Sequence, residues 1–384
     1  MTRLTGTYAT TTALGETVHA FVPANLPPEV PPLDLASYER LNRSAELSLA
    51  WLSDVSGLVA SLEWLLYSAV RKEALLTSQI EGTQATITDL FDEEAGIPVS
   101  NTDDVEEVTN YLAAYKFVRQ NLQASDGLPL SMRLLRQAHA LLLDGVRGHG
   151  RQPGEVRQSQ NWIGGTRPGN AVFVPPPADR VQGLLSNLER FIHDQNPTLP
   201  TLPPLVRIAL VHAQFETIHP FLDGNGRIGR LLIAALLEEW RLLPQPLLYL
   251  SGYLKEHQAE YYRRLSAIRT DGDWEGWIGF FLEGVDVAAR TAQKNIIGIA
   301  SLINEDRRRL HTLSKGTTQS YRLFELLATM PKFTVERVRV ALDTTFPTAS
   351  AAIKVLEEAG IVRETSGRSS GRSYAYQGYI DLMR

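Results

Sequence analysis

The chain has 384 residues, of which 43% are hydrophobic and 21% charged, a composition typical of an ordinary globular protein with two or three domains. Its net charge of −5 excludes a protein that coats nucleic acid over its whole surface, although a small basic module is compatible with it. The absence of cysteine excludes disulfides, thiolate zinc sites and cysteine nucleophiles. Residues 1–22 do not resemble a signal peptide, and no apolar run reaches the roughly 18 residues of a membrane span, so we predict a cytoplasmic protein without contact to a membrane.

The amino-terminal part is polar and then rich in proline. Residues 1–35 are therefore predicted to form an extended surface arm or a mobile tail. From residue 35 to about 92, leucines recur at three- and four-residue steps and predict helices. Further helices are predicted over residues 103–123 and 131–143, each with an apolar stripe.

One acidic residue in this helical region has an unusual position. In Thr77-Ser78-Gln79-Ile80-Glu81-Gly82, the glutamate directly precedes a glycine suited to a helix C-cap. The simple interpretation is a solvated residue of the last turn. However, an acid at a helix C-terminus faces the negative end of the helix dipole, so this placement needs a cationic partner or a functional reason.

Residues 161–177 differ in character from the helices around them. Their sequence predicts two short strands around a glycine-rich turn, the only clear hairpin before residue 360. The segment is either a loop without function or a clamp for an extended peptide, because a lone hairpin leaves a strand edge that an incoming strand can pair with.

The second half of the chain is again helical in pattern. Helices are predicted over 178–194, 205–218 and about 226–240, with two more between 255 and 285 and a long one from after 285 to about 313. The tail then shows predicted helices over 321–330, 334–342 and 346–359, followed by a hairpin that includes residues 361–364 and 373–376. This order is typical of a winged helix-turn-helix.

The tail is also more basic than the whole chain. Residues 304–384 contain 13 lysines and arginines against 9 acids. This excess supports a second hypothesis, a DNA-binding regulator in which the remainder of the chain is a sensor. An ordinary basic surface or a protein-docking domain explains the same excess equally well.

Between the helices 205–218 and 226–240 lies the densest set of chemically active residues. It reads His219-Pro220-Phe221-Leu222-Asp223-Gly224-Asn225-Gly226-Arg227-Ile228-Gly229-Arg230. A zinc site would need His212, Glu216 and His219 on one helix face, but Pro220 pushes the residue before it out of helical geometry, so His212 is expected to be a hydrogen-bonded core residue. The three glycines spell G-x-G-x-x-G, yet a dinucleotide fingerprint requires a preceding strand, and here a helix precedes.

A third interpretation accounts for the whole stretch. The glycine-rich turn and the start of the following helix form a nest of backbone N–H groups for an anion. Arg227 and Arg230 lie three residues apart, so both guanidinium groups can reach phosphate oxygens. Asp223 is a hard oxygen ligand for Mg²⁺, and His219 is a general base near neutral pH. The stretch therefore predicts a site for a polyphosphate with its metal ion.

The same residues resemble a known family. His219 to Arg230 match the HPF-x-[DE]-GNGR-x-x-R signature of Fic-domain proteins at every specified position. Residues 77–82 resemble the [ST]-x-x-x-E-[GN] inhibitory helix of some members, and residues 161–165 with 174–177 resemble the flap hairpin. The order of a helical amino-terminal domain, a Fic core and a winged helix is similar to that of large bacterial Fic proteins that transfer AMP.

The resemblance implies a reaction. His219 would deprotonate a Ser, Thr or Tyr hydroxyl of a target protein, the hydroxyl would attack the α-phosphate of ATP, and pyrophosphate would leave. Asp223 would hold Mg²⁺, and Arg227 would bind the β-phosphate. Arg230 would bind the γ-phosphate, or pair with Glu81 in an inhibited enzyme. The residues expected to bind ATP are Gly224, Asn225, Gly226, Arg227, Ile228, Gly229, Arg230, Tyr261 and Tyr262.

Some of these roles have open alternatives. Tyr261 and Tyr262 would line the adenine pocket, or they form a core aromatic pair. Glu81 would inhibit the transfer, or orient a water for the removal of AMP. UMP transfer and phosphotransfer with a flipped nucleotide are further chemistries for the same loop. The expected partners are ATP, a target protein that can include the chain itself, DNA or protein at the winged helix, and a second copy in a homodimer.

The predicted fold is mainly α, a helical Fic core with a β-hairpin flap between a helical amino-terminal domain and a winged helix. The predicted domains are residues 1–100 with the inhibitory helix, 101–285 as catalytic core, 286–318 as linker helix and 319–384 as winged helix.

Overall fold

The structure, a computed structural model, describes residues 3–58, 62–146, 150–193, 202–313, 316–368 and 370–384. Within these residues the fold is mainly helical, as predicted, with five short strands. The helices are α1 (Glu39–Val55), α2 (Leu62–Ile80), α3 (Ile87–Glu94), α4 (Thr102–Gln123), α5 (Met132–Leu142), α6 (Ala178–His193), α7 (Pro204–Ile218), α8 (Asn225–Glu239), α9 (Ser251–Glu256), α10 (Gln258–Asp271), α11 (Trp274–Thr312), α12 (Thr318–Leu326), α13 (Val335–Ala341), α14 (Phe346–Glu358) and α15 (Gln377–Met383). The strands are β1 (Gly6–Ala13), β2 (Glu16–Pro23), β3 (Lys332–Thr334), β4 (Arg363–Glu364) and β5 (Ser373–Ala375).

The described residues divide into two compact units. The first contains the residues up to Ala50, Asn110–Pro244 and Leu250–Ala289. The second contains Trp51–Thr109, Gln245–Tyr249 and Arg290–Arg384. The loop after α7, residues 219–224, belongs entirely to the first unit.

Helix α7 is the centre of the first unit. Twelve of its fifteen residues are buried, which is the pattern of a helix that is apolar on all sides and surrounded by others. Trp277 of α11 is fully buried against it, and its indole Nε1 donates to the carbonyl of Ala209 at 2.8 Å. This buried helix ends at Ile218, directly before the loop.

Helices α7 and α8 approach each other closely at Gly229. A Cβ at this position would overlap the carboxylate of Glu216 and lie 3.3 Å from the ring of His212. A side chain at this position would have to displace the carboxylate of Glu216 and would crowd the ring of His212. The close contact fixes the start of α8 relative to the end of α7, and thus the ends of the loop between them.

The amino-terminal arm predicted for residues 1–35 is wrong in part, because residues 6–23 form an antiparallel hairpin. Strands β1 and β2 pair from Gly6 with Pro23 to Ala13 with Glu16. Leu14 and Gly15 form the two-residue turn, with φ of 48° and 81°, as a type I′ turn requires. The run of threonines in β1 favours a strand and was the only signal of this hairpin in the sequence. The turn gives no further signal, because it lacks the usual Asn-Gly.

The predicted hairpin at 161–177, which we call the flap, has less strand structure than expected. A single β-bridge joins Ile163 to Phe173, and a 3₁₀ helix covers Pro168–Asn170 between them. Phe173 packs under the guanidinium of Arg269, whose carbon lies 3.9 Å from the ring centroid. The flap is thus held in place more by side-chain packing than by backbone hydrogen bonds between two strands.

One edge of the flap is already occupied. The N–H of Phe21 in β2 donates to the carbonyl of Val174 at 2.9 Å, and Arg167 pairs with Glu16. The expectation of a free strand edge is therefore wrong for this side of the flap, and on the other side the N–H of Trp162 donates to the side-chain oxygen of Asn161 at 2.9 Å.

The helices of the loop region confirm the sequence pattern closely. Those predicted at 178–194, 205–218 and 226–240 begin and end within one residue of the prediction. By contrast, α11 is one helix from Trp274, whereas two were predicted with a break after Val285. Asp273 starts it by accepting from the N–H of Gly276 at 2.9 Å.

In the second unit the carboxyl-terminal segment has the predicted three helices and a hairpin. Strands β3, β5 and β4 form a sheet in that order. Strand β3 and helix α15 were not predicted. Tyr376 donates its hydroxyl to the buried carboxylate of Asp306 at 2.8 Å, which fixes the end of the sheet to α11. The assignment of this segment as a winged helix stays a prediction.

Candidate active site

His219 lies outside the helical face, as the sequence predicts. It is the C-cap of α7 with φ 51° and ψ 63°, the left-handed region, and its N–H donates to Phe215 at 3.0 Å. Pro220 follows and cannot continue the helix. The backbone therefore turns sharply at His219, and the imidazole, half-buried, belongs to the loop.

The loop is closed by the side chain of Asn225. Its Oδ1 accepts from the N–H of Phe221 at 2.8 Å, and its Nδ2 donates to the carbonyl of the same residue at 2.9 Å. Asn225 is buried, so these bonds are poorly exposed to water. The side chain predicted as part of an anion site thus fixes the loop, and only the backbone N–H of Asn225 is suited to a ligand.

A second residue that fixes the loop is His139, which the sequence analysis missed. Its Nδ1 accepts from the N–H of Gly154 at 2.8 Å, so Nε2 carries the proton and donates to the carbonyl of Asp223 at 3.0 Å. The ring also stacks on Phe221 with 3.9 Å between centroids. Burial lowers the pKa of His139 to about 4, so the ring is neutral at pH 7.

Arg157 is the third such residue, and it was also missed. Its guanidinium is buried and donates to the carbonyls of His219 at 2.9 Å, Pro176 at 2.5 Å and Ser159 at 3.2 Å. The orphan carbonyls at the end of a helix attract a cation, and Arg157 serves this role for α7. Because Pro176 belongs to the flap, one side chain joins the catalytic loop to the base of the flap.

We expect the Arg157→Met variant to be less stable by about 2–4 kcal/mol, because the bonded carbonyls would be left buried without a donor. The unfolding temperature in scanning calorimetry measures the loss. Arg180→Met is the matched control, since the side chain of Arg180 is 68% exposed. Equal unfolding temperatures for the two variants would contradict the role assigned to Arg157.

The start of α8 has the features of an anion site. Its N-cap is Gly224, with φ 74° and no side chain to cap the first-turn N–H groups. Arg227 and Arg230 are both only 3% exposed, one turn apart on α8. Two buried guanidinium groups at a positive helix terminus favour a ligand with several negative charges.

Asp223 supplies the carboxylate of this site. Its Oδ1 accepts from the N–H of Gly224 at 2.6 Å and lies 3.8 Å from a guanidinium nitrogen of Arg227. The side chain is 42% exposed and faces a cleft. One partly exposed carboxylate next to a phosphate site fits Mg²⁺, which keeps several waters and binds through one or two carboxylates plus phosphate oxygens.

The other residues predicted to bind ATP have different surroundings. Ile228 is fully buried and Gly229 packs against α7, so both can offer only backbone groups. Tyr261 is 1% exposed and Tyr262 48% exposed, with ring centroids 5.2 Å apart. Tyr261 thus has the core position that the sequence left open as the alternative. The adenine-lining role of the pair stays a prediction.

His212 is the core residue that the sequence predicts. Its Nδ1–H donates to the carbonyl of Gly229 at 3.1 Å, and its Nε2 accepts from the hydroxyl of Tyr261 at 2.8 Å. Burial lowers its pKa to about 3. With both nitrogens bonded inside the core, His212 is not available as a zinc ligand.

The two buried histidines predict a pH dependence of stability. Their pKa values are lower in the folded state than the unfolded value of about 6.5, so the unfolded chain binds more protons below that pH. Stability is therefore complete above pH 6.5 and falls as the pH decreases towards 4, by about 2 kcal/mol per histidine at pH 5.

The unfolding temperature between pH 7 and 5 measures this loss. His139→Gln should make the decrease smaller, whereas His311→Gln, at an exposed position, should leave it unchanged. An unfolding temperature of the unsubstituted protein that does not change over this range would contradict the neutral state of the buried rings.

Glu81 belongs to the second unit. It follows the last residue of α2, with its N–H donating to Ser78 at 3.0 Å, and its side chain is exposed. Gly82 has φ 102° and donates to Gln79 at 3.2 Å, which fits the C-cap predicted for it. The inhibitory role of Glu81 stays a prediction.

The loop opens onto a wide cleft of about 1040 Å³ in the first unit. Leu222 and Asp223 of the loop line it, together with residues 161, 162, 164 and 165 of the flap and residues 11–14 at the tip of the β1–β2 hairpin. The carboxylate of the loop thus lies at a cleft shared with the flap, and the anion site at the start of α8 follows this carboxylate directly in the chain.

Two family models match the chain over separate ranges. Residues 129–237, which include the whole loop, match the Fic/DOC family, and residues 39–120 match the Fic/DOC family N-terminal model. The chain carries a Fic domain. This finding confirms the family expected from the sequence.

Solved structures share the fold of this Fic-domain chain. A Fic family protein from Desulfovibrio desulfuricans G20 aligns with a TM-score of 0.56 and 23% identity over 90% of this chain and 97% of that one. Fic-1 from C. elegans, residues 134–508, aligns with a TM-score of 0.52 and 22% identity over 69% of this chain and 73% of that one. At this identity the likeness shows the fold alone.

Curated relatives carry the name protein adenylyltransferase Fic. The protein from Culex quinquefasciatus is 26% identical over 257 residues, and the one from Aedes aegypti 25% identical over the same length. Each match covers 65% of this chain and 46% of the relative, so the Fic-domain chain spans about half the length of these relatives.

Among the described residues of the Fic-domain chain, every helix is too short or too polar to cross a membrane.

Proposed function

We propose that this chain transfers AMP from ATP to a Ser, Thr or Tyr hydroxyl of a target protein. The observation that supports the proposal is the short Fic loop: His219 ends α7, two buried arginines lie in the first two turns of α8, and Asp223 between them lies 3.8 Å from Arg227 and lines a cleft shared with the flap. The name of the curated relatives supports the same chemistry.

In the proposed reaction His219 takes the proton of the acceptor hydroxyl. The hydroxyl oxygen forms a bond to the α-phosphorus, the bond from that phosphorus to the bridging oxygen of the β-phosphate breaks, and pyrophosphate leaves with the bond electrons. Most of the acceleration in such a transfer comes from positioning and charge neutralisation. Arg157 and Phe215 hold the backbone of His219 on both sides, which supports a fixed position for the imidazole in this step.

The positively charged part of the site, at the start of α8, would bind the phosphates of ATP. Backbone N–H groups at the start of α8 and the guanidinium of Arg227 would bind the β-phosphate, and Arg230 would bind the γ-phosphate. Asp223 would hold Mg²⁺, which when bound would supply positive charge to the triphosphate. Since both arginines are nearly inaccessible to water, their interaction with phosphate would be weakly screened.

We further propose that Glu81 restrains this reaction. The sequence around it matches the inhibitory pattern, and an acid directly after a helix end is unfavourable without another role. Its pairing with Arg230, modification of the chain by itself, a homodimer, and DNA or protein binding by the carboxyl-terminal segment stay predictions.

Labelled nucleotides test the proposed chemistry against its alternatives. Protein with the Glu81→Gly substitution is incubated with Mg²⁺ and ATP labelled at the α- or at the γ-phosphate, alone and with cell lysate. The proposal expects label on protein from α-labelled ATP alone. Label from the γ-position would indicate phosphotransfer instead. A parallel reaction with UTP separates AMP from UMP transfer, and release of AMP from previously labelled protein by unsubstituted chain would indicate the reverse reaction.

A further inference from the structure

The β1–β2 hairpin lies against the flap in the first unit. Phe21 of β2 donates its N–H to Val174 at 2.9 Å, and the Glu16 carboxylate pairs with Arg167. At Gly169 a Cβ would overlap the same carboxylate, so the turn of the flap is packed directly on the hairpin. Because of these contacts the hairpin is a fixed neighbour of the flap.

These contacts decide which side of the flap can take another chain. The Val174 side is bonded to β2, whereas residues 160–162 with Gly164 and Gly165 line the cleft. An extended segment that pairs with the flap by strand addition would therefore lie in the cleft. The tip of the hairpin, residues 11–14, lines this cleft as well.

The tip is anchored by a buried residue and carries an exposed apolar side chain. Ala13 is 5% exposed and anchors it, whereas the side chain of Leu14 is 80% exposed at the turn. Thr11 and Thr12 add two hydroxyl groups to the lining, and the charged residues of the cleft are Arg151, Asp179 and Asp223. An apolar side chain on a fixed turn is suited to an apolar residue of a bound segment.

The hairpin also lies outside both family matches, which begin at residue 39. The parts of the chain that match the family models supply the loop and the flap, and the hairpin is an addition to them. A structure that lines the cleft but takes no part in the reaction can change which target is selected without changing the reaction itself.

We propose that the tip of the β1–β2 hairpin forms the second wall of the acceptor cleft, and that Leu14 selects an apolar residue next to the acceptor hydroxyl. The occupant is an extended segment of the target protein that lies along the side of the flap that lines the cleft and is covered by the tip. This inference rests on the proposed function, since it names the substrate class of the same site.

A peptide library tests the inference. The peptides carry one fixed threonine with random residues on both sides, and the enzymes all carry Glu81→Gly to remove the proposed restraint. Leu14→Lys and Leu14→Glu are compared with the parent. Leu4→Lys is the matched control, because Leu4 is 75% exposed near the start of the hairpin but does not line the cleft.

The parent should enrich apolar residues beside the labelled threonine. Leu14→Lys should shift the enrichment towards acidic residues and Leu14→Glu towards basic ones, by about two- to fivefold in each direction, as for a partly exposed ion pair. Leu4→Lys should match the parent. A general loss of folding would lower labelling without reversing a preference. Shifts of opposite sign in the two variants would therefore exclude that explanation.

Identical preferences in all four proteins would overturn the inference while leaving the proposed function intact. It would also be overturned if a protein that labels itself labelled no peptide, because the cleft would then not accept an extended segment. Label on neither protein nor peptide would instead contradict the proposed function.

Discussion

The His219→Ala variant is expected to lose transfer of AMP by a factor of about 10²–10⁴, the usual contribution of a general base, while its affinity for ATP stays close to that of the parent. The imidazole would act on the acceptor hydroxyl, whereas the phosphates would be bound by the start of α8 and the two buried arginines. The loop should survive the change, because Asn225, His139 and Arg157 all hold it closed.

Label transfer from α-labelled ATP and calorimetric titration with ATP measure the two quantities. Since His219 has a left-handed backbone, alanine there adds some strain, and His219→Asn is a second variant that tolerates this conformation better. His311→Ala, at an exposed position, is the control for histidine removal. If a His219 variant retained most of the transfer rate, His219 would not be the general base of the reaction.

The Glu81→Gly variant is expected to label itself at least about tenfold more than the parent, which corresponds to about 1.4 kcal/mol of relieved restraint. The reason is that the carboxylate that we propose competes with phosphate for a buried cation would be replaced by hydrogen. The fold should be unaffected, since Glu81 lies just beyond the last residue of α2 and is exposed.

Two further variants separate charge from other effects. Glu81→Gln keeps the size of the side chain and removes its charge, so it should also increase labelling. Glu93→Gly removes an exposed acid near the end of α3 in the same unit and should have no effect. If Glu81 orients a water for AMP removal, labelled parent protein transferred to unlabelled ATP will lose its label and the variant will keep it. Equal labelling of parent and Glu81→Gly would contradict the restraint.

The backbone of the loop could be predicted from the sequence because its determinants are local. His219, Asp223 and Arg227 lie within nine residues, and Pro220 and Gly224 determine the backbone between the helices. Apolar periodicity likewise predicted α4 to α8 within one residue, since each has a long buried stripe or is buried on all sides. The start of α11 was missed although Gly272 and Asp273 are ordinary stop and start signals.

The residues that hold the loop could not be predicted, because they come from far along the chain. His139 is 84 residues from the Asp223 carbonyl it donates to, and Arg157 is 62 residues from His219. A single histidine in a helix or a single arginine in a loop belongs to no sequence pattern that would reveal such a distant partner. The hairpin against the flap was missed for a related reason, since its contacts with Val174 and Arg167 are long-range.

Intact mass spectrometry of the purified Glu81→Gly protein after incubation with ATP and Mg²⁺ is the most direct test of AMP transfer by this chain. We expect one or more additions of the mass of AMP, located on Ser, Thr or Tyr residues by peptide mapping, and no addition when His219→Ala is combined with Glu81→Gly. An unchanged mass, an addition of phosphate alone, or AMP additions that persist in the double variant would contradict it.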